Sequence, residues 1–321
     1  MTISVVLACC RGGKFLAGQL ESIENQTLAP DEILVCDDSP DEASSRIAGA
    51  FPRVRVLRNC PALGVAKNFA RGIAEASGEV IFLSDQDDVW LPERAEHMMK
   101  ALGNGDGVFC NSTLTDESLH PLKADHWTMR GFPSAELREM RRGSVTPGRM
   151  RELFARRVLP AAHDMMFRAS VRDRILPMPD LEACHDSWIG LAVASCGRWV
   201  VCDEELTLFR QHGENLSGMG RLGAFAEARK SIRDNTFDWN ARLYRAAFER
   251  FGIPLWEERA LHSAVRAKMA VPLWKRFPMV WREWSSGRYS RFGRGWKNAV
   301  QDLFLRPVVP GLCMLRRGTD S

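Results

Sequence analysis

The chain has 321 residues, 45% hydrophobic and 26% charged, a globular composition that excludes extensive disorder. Its 44 basic and 40 acidic residues leave a formal net charge of +4, so bulk charge does not point to a nucleic acid. Nine cysteines, an odd count with no close metal-type pair, read as buried thiols of a reducing compartment.

Arg11 and Lys14 interrupt the only early apolar stretch, so no secretory leader is expected, and no apolar run approaches the roughly 18–20 residues of a membrane span. The expected location is cytoplasmic, soluble or peripheral on the inner face of the cell membrane.

Over residues 1–105, Ile3–Cys9, Glu32–Cys36, Val54–Leu57 and Glu79–Leu83 read as strands, and Lys14–Asn25, Asp41–Ala50 and Val65–Ala76 as helices. This βαβα order predicts an α/β fold with a doubly wound, mainly parallel sheet, and the unbroken apolar strands predict burial on both faces. Ligands of such sheets sit beyond the carboxyl ends of the strands, so Cys10–Gly13, Asp37–Asp38 and Asp85–Asp88 are expected to share one crevice.

Residues 106–218 read as a mixed second half. Gly107–Ser112 is a predicted strand, Thr115–Pro147 a polar stretch, Met150–Ala155 and Ser187–Ser195 helices, and Trp199–Val201 and Glu205–Arg210 two further strands. Residues 219–321 read as a helical extension, with Ala224–Phe251 and Pro254–Met269 as its long helices. Between Pro272 and Pro310, tryptophan, arginine and proline intermix, including Trp274, Trp281, Arg282, Trp284 and Trp296. Such side chains favour the headgroup level of an anionic bilayer, so an interfacial helix pair is one reading; aromatics that simply cover the core is the other. No nucleic-acid module accompanies the patch, and no nucleic-acid partner is expected.

The strongest local motif is Ser84-Asp85-Gln86-Asp87-Asp88-Val89-Trp90-Leu91-Pro92, three carboxylates at the end of an apolar strand, ahead of a helix that Pro92 can start. Such carboxylates repel one another and call for a cation. Asp85 and Asp87 are spaced to direct oxygens at one divalent ion, Mn²⁺ or Mg²⁺, whose remaining positions go to water and a diphosphate. Trp90 stands where an EF-hand loop needs glycine, which excludes that motif. A solvated acidic turn capping the helix is the alternative.

On these residues, 3–110 resemble the nucleotide-sugar-binding half of the inverting family 2 glycosyltransferases of the GT-A fold. Val5–Gly12 resembles the family's opening strand and loop, Gln26-Thr27 the end of its first helix, and Asp37-Asp38-Ser39-Pro40-Asp41 its second loop. Cys9-Cys10-Arg11 replaces the family's Thr/Ser-Tyr-Asn and removes its base-stacking aromatic. Cys184-His185-Asp186-Ser187-Trp188 resembles the acidic acceptor-site motif, and Phe209–Gly218 the Tyr-Arg-Gln-His-Gly-x-Asn segment of bacterial rhamnosyltransferase-like members. The resemblance covers 1–218 and, more loosely, Gly287-Arg288-Tyr289 and Gln301-Asp302-Leu303.

The resemblance implies a donor nucleotide at Ala8, Cys10, Asp38, Lys67 and Asp85, with Asp38 accepting from a pyrimidine N3–H. It implies a metal held by Asp85, Asp87 and His212, a catalytic base at Asp186, and an acceptor site at His185, Trp188 and His163, where Trp188 offers its face to a sugar ring. The implied activity moves a sugar, with rhamnose a candidate, from a UDP- or dTDP-sugar to a saccharide or lipid-linked acceptor with inversion, in cell-surface polysaccharide synthesis. Each residue has a plainer alternative: an Asx-type turn for Asp37 and Asp38, a solvated helix position for Lys67, a helix cap for Asp186 with Trp188 in the core, a satisfied loop imidazole for His212, a strand edge for His163. A sugar-nucleotide pyrophosphorylase would share the strand order, but Arg11-Gly12-Gly13-Lys14 is not its Gly-x-Gly-Thr-Arg loop. A non-catalytic scaffold of a polysaccharide complex is the remaining alternative.

Overall fold

The computed structural model describes residues 1–130, 132, 134–141, 145–156, 159–213 and 235–305. The chain divides into two units, Met1–Arg221 and Leu222–Ser321.

The first unit opens β1 (Ile3–Cys9), α1 (Leu16–Glu24), β2 (Glu32–Asp37), α2 (Ala43–Ala48), β3 (Val54–Arg58), α3 (Val65–Glu75) and β4 (Val80–Asp85), each end within two residues of its predicted place. It continues through β5 (Val89–Trp90), α4 (Arg94–Leu102), β6 (Gly107–Thr115), β7 (Pro121–Asp125), α5 (Pro147–Ala155), β8 (Met165–Arg168), α6 (His185–Cys196) and β9 (Trp199–Arg210). Strand order is β3-β2-β1-β4-β8-β6-β9-β5, with β7 on β6. Strands β3, β2, β1 and β4 are parallel, as are β6 and β9; β8 runs antiparallel to β4 and β6. The fold is α/β of the doubly wound kind. Val5, Leu7, Ile33, Val35, Val80 and Phe82 meet α1 and its surroundings in one buried cluster, which explains why these strands carry no polar alternation.

The polar stretch Thr115–Pro147 holds β7 and short helices at His126–Met129 and Ser134–Arg141. One reading changes. The two strands expected at Trp199–Val201 and Glu205–Arg210 are one: β9 runs through Asp203 and Glu204 and follows β6 by shifting register near Asn111. Chain order steps outward from β1 to β3 and returns to β4 on the other side of β1, so the switch point lies between the ends of β1 and β4.

Gly72 lets α3 lie close on the sheet, because a Cβ there would meet Val6 Cγ1 at 2.4 Å and Cys36 Sγ at 2.6 Å.

In the second unit, α7 (Thr236–Phe251) and α8 (Pro254–Ala267) form a hairpin. Gly252 ends α7 at φ 65°, and Pro254 starts α8. The predicted start of α7 at Ala224 lies outside the described residues. Then come α9 (Leu273–Ser285), short helices Arg288–Phe292 and Trp296–Val300, and a π turn at Gln301–Leu305. Met269, Val280, Tyr289 and Ala299 form a small core laced with buried polar pairs. Arg266 forks onto Asp302 at 2.6 and 3.0 Å, and Tyr289 Oη donates to the same carboxylate at 2.8 Å. His262 Nδ1 lies 2.7 Å from Glu283 Oε2, with Arg288 Nε 3.0 Å from that oxygen. Among the described residues no helix is long and apolar enough to cross a membrane.

Two stability tests follow. Gly72→Ala is expected to lower the unfolding free energy by about 1–3 kcal/mol through overpacking. Gly148→Ala, inside α5 where a Cβ meets nothing within 4 Å, is the control in the same denaturation series and should hold or raise stability. Burial, helped by Arg259 and Arg266 and opposed by Glu283, holds His262 down to about 4 from 6.5. The folded state thus favours the neutral ring, so this contribution is complete above pH 6.5 and falls away as pH drops toward 4. Between pH 8 and pH 5 the wild type should lose about 2 kcal/mol from this group in urea titrations, a loss absent in His262→Asn.

Candidate active site

The crevice lies at the carboxyl ends of β1, β2 and β4, and hydrogen bonds join the three loops the sequence pairs there. Asp38 N donates to Cys9 O at 2.8 Å, and Arg11 N to Ser39 Oγ at 2.8 Å. Gln86 clasps the β1 loop at two points: Cys10 N donates to its Oε1 at 2.8 Å, and its Nε2 donates to Cys10 O at 3.0 Å. A Cβ on Gly12 would meet Cys9 Sγ at 2.8 Å and Gln86 Oε1 at 2.9 Å, so a larger residue there would displace the clasp. Ala8 is in register with Cys36 on one side and Asp85 on the other.

The two aspartates after β2 divide their work. Asp37 is fully buried and accepts from Ser39 N and Ser45 Oγ, the turn-forming role. Asp38 Oδ1 accepts from Asn59 Nδ2 at 2.6 Å and Leu63 N at 3.1 Å, and Oδ2 from Gly64 N at 2.8 Å, so it orders the loop that enters α3. Lys67, one turn further, forms an exposed pair with Asp180 at 3.1 Å.

Each acidic residue of the 85–88 loop meets its own counterpart. Asp85 Oδ2 lies 3.3 Å from His163 Nδ1. Asp87 Oδ2 lies 2.9 Å from His212 Nε2, whose ring rests against Phe15. Asp88 is fully buried; its Oδ1 accepts from Arg210 N at 3.1 Å, and its Oδ2 has no hydrogen-bond partner among the described residues. Burial would raise Asp85, but the hydrogen bond and charge of His163 outweigh it and hold the carboxyl low, with His185 adding to the effect. Asp87 is raised by burial and by Asp85, against the pull of His212. Asp88 is raised well above its usual range, chiefly by burial. Ligand atoms of Asp85, Asp88 and His163 lie within 4.8 Å of one another, as do those of His126, His163 and Asp164.

Behind the loop is a buried group that the sequence reading did not assemble. Asp164 accepts from Ser112 Oγ and lies 3.2 Å from His126 Nδ1 and 3.4 Å from His163 Nε2. Arg94, fully buried, donates to Thr207 Oγ1 and to the His163 carbonyl and stacks 4.1 Å from the Trp90 ring. A basic residue two positions after Pro92, at a helix start where cations are disfavoured, was the one sequence signal for it. His163 is 4% exposed and stacks on Phe209, so it backs Asp85 and does not line an open acceptor surface.

At the start of α6, His185 stacks on Phe69 and Asp186 Oδ2 lies 3.9 Å from Arg130 Nη1. The cap position is Cys184, and Asp186 is inside the first turn. Trp188 corrects the sequence reading: it is 2% exposed and donates its indole N–H to the Ile175 carbonyl at 2.7 Å, so its face meets core and not sugar. Residues 214–218 of the last motif lie outside the described residues.

The sequence model of Glycosyl transferase family 2 matches residues 4–163. The glycosyltransferase GlyG of Streptococcus pneumoniae is 38% identical over 36% of this chain and 40% of its own length. An Escherichia coli protein named UDP-Glc:alpha-D-GlcNAc-diphosphoundecaprenol beta-1,3-glucosyltransferase, WfgD, is 29% identical over 29% of this chain and 38% of its own. The chain thus spans less than half the length of the first curated relatives it matches. In fold it is similar to Staphylococcus aureus TarS residues 1–349 in complex with UDP-GlcNAc, with a TM-score of 0.57 at 14% identity over 93% of this chain and 90% of that one. Residues 4–163, which hold the crevice loops and the acidic loop, are thus a glycosyl transferase family 2 segment.

Proposed function

We propose that the chain is a divalent-metal-dependent, inverting glycosyltransferase that moves a sugar from a uridine or thymidine diphosphate donor to a saccharide on a lipid carrier at the inner face of a membrane. The observation that carries this reading is convergence: the acidic loop clasps the β1 loop through Gln86, Asp38 orders the loop that enters α3, and His185 at the start of α6 stacks on Phe69 of α3. The UDP-GlcNAc complex of TarS and the diphosphoundecaprenol acceptor in the name of WfgD support the donor and acceptor classes. Rhamnose rests on the likeness of the Phe209-Arg210-Gln211-His212-Gly213 segment alone and is the first donor sugar to try.

The residues fit a cation. Asp87 and Asp88 are raised by burial and crowding, and Asp88 Oδ2 is buried with no hydrogen-bond partner among the described residues, the situation a positive charge relieves. Asp85 and Asp87 would hold the ion, with His212 beside Asp87, and hard carboxylate oxygens suit Mg²⁺ or Mn²⁺. When bound, the ion supplies positive charge against the departing diphosphate.

Asp38 uses three of its about four acceptor positions, leaving one for the imide N–H of uracil or thymine. With Cys10 exposed where the family has its stacking aromatic, Asp38 and the β1 loop carry base recognition. Asp186 takes the proton from the acceptor hydroxyl as that oxygen bonds to the anomeric carbon. The bond from that carbon to the diphosphate oxygen breaks on the opposite face, its electron pair leaves with the nucleoside diphosphate, and the configuration inverts.

Isothermal titration with UDP, dTDP, GDP and CMP, each with and without Mn²⁺ or Mg²⁺, is expected to show metal-dependent binding of UDP or dTDP. Absence of binding to all four by folded protein overturns the reading. Asp87→Ala should weaken that binding about a hundredfold or more, beyond what loss of an outer partner produces. Asp186→Asn should leave nucleotide affinity intact and lower the transfer rate by about 10²–10⁴-fold; wild-type rates in this variant remove Asp186 as the base.

A further inference from the structure

Helix α9 has three faces where a soluble helix has two. Its inner face is locked: Arg276 donates to the Val271, Asp302 and Leu303 carbonyls, Val280 joins the core, and Glu283 is fully buried against His262 and Arg288. The second face, within about 100° of arc at 3.6 residues per turn, carries Leu273, Trp274, Phe277, Trp281 and Trp284. These side chains are 43–72% exposed. The third face carries Lys275 and Arg282, also exposed. Arg276 and Glu283 prevent the helix from rolling to bury its aromatics. Beyond it, Trp296, Val300 and Phe304, four residues apart, are exposed as well.

Single exposed apolar residues are ordinary, but a contiguous stripe of this size marks an interaction surface. Its chemistry selects the occupant. Among residues 272–305 every exposed charged side chain is basic: Lys275, Arg282, Arg291, Arg294 and Lys297. The segment's two acids, Glu283 and Asp302, are buried in ion pairs. Lys275 and Lys297 lie 4.9 and 5.9 Å from the Trp274 and Trp296 rings, the mixed aromatic and cationic edge that suits a lipid headgroup layer. A second copy would set like charges against each other.

We propose that α9 is a monotopic docking helix, lying in the plane of an anionic lipid surface with Trp274, Phe277, Trp281 and Trp284 inserted among the headgroups and Lys275 and Arg282 on acidic lipid. This deepens the membrane-side reading given above and rests on it for the choice of lipid.

The test is flotation of the full chain with phosphatidylcholine vesicles, alone or with about 30% phosphatidylglycerol, at low and high salt. Binding is expected to favour the anionic vesicles and to weaken with salt. Trp274→Ser/Phe277→Ser/Trp281→Ser should lower partitioning at least about tenfold on both vesicle types. Lys275→Gln/Arg282→Gln should weaken only anionic binding and its salt dependence. Absence of wild-type binding, or equal binding by the triple variant, overturns the proposal. So does a dimer in sedimentation equilibrium that the triple variant dissociates while vesicle binding persists. UDP titration of the same samples separates the two readings: lost vesicle binding with intact UDP binding removes the docking helix and leaves the transferase, and the reverse outcome does the opposite.

Discussion

Three carboxylates in four consecutive positions are the constraint around which the first unit is organised. Two such charges about 4 Å apart repel by about 4 kcal/mol at an effective dielectric constant near 20, a large share of the roughly 5–15 kcal/mol by which a domain is stable. The fold answers by giving each loop residue a partner from elsewhere in the chain: His163 for Asp85, Cys10 for Gln86, His212 for Asp87, the Arg210 amide for Asp88. Long-range closure of the unit and placement of the crevice are therefore one event. The strand that delivers Arg210 and the segment that delivers His163 must both be in place before the acidic loop is tolerated.

The buried histidines behind the loop show how a small difference in surroundings decides a charge. His126 and His163 are 5.0 Å apart and both almost wholly buried. Burial lowers both. At His163 the combined charge of Asp164, Asp88 and Asp85 outweighs it and raises the ring to about 10. At His126 only Asp164 opposes burial, while the positive His163 adds to it, and the ring falls to about 4. Asp164, pulled down to about 2 against its own burial by these rings and Arg94, is the common anion of the group. The carboxylates around His163 thereby favour the protonated form of the ring behind the acidic loop.

How far this was legible in the sequence follows from the range of the interactions involved. The βα order was readable because strands buried on both faces are apolar without interruption, as in Val5–Cys9 and Val80–Leu83, and the acidic loop was readable because its three carboxylates are adjacent. Among the partners only His212 was placed, beside Asp87, and that by the family resemblance. His163 and Asp164 stand beside a four-residue strand and carry no local sign that a loop some 75 positions earlier needs them. Strand β9 was split because Asp203-Glu204 looks like a turn; in the fold these residues are exposed on a continuous strand. Gln86 looked like a spacer between aspartates, yet its amide is the only side chain of the loop with both a donor and an acceptor, which is what clasping a peptide unit requires.

The tryptophans make the same point from opposite sides. Trp188 lies in α6, where Ser187 to Ala194 are all buried and the helix is apolar almost all round; such a helix belongs inside, so its indole had to find a backbone carbonyl, and it took that of Ile175. Trp274 and Trp281 lie in α9, whose inward positions are Arg276, Val280 and Glu283. Two of those three are charged, and they are held by Asp302, Leu303, His262 and Arg288, partners that exist only on one side. The polar residues, by claiming the interior, leave the aromatics outside. Which face of an amphipathic helix turns inward is thus set by where its buried charges find partners, and hydrophobicity alone would have placed α9 the other way round.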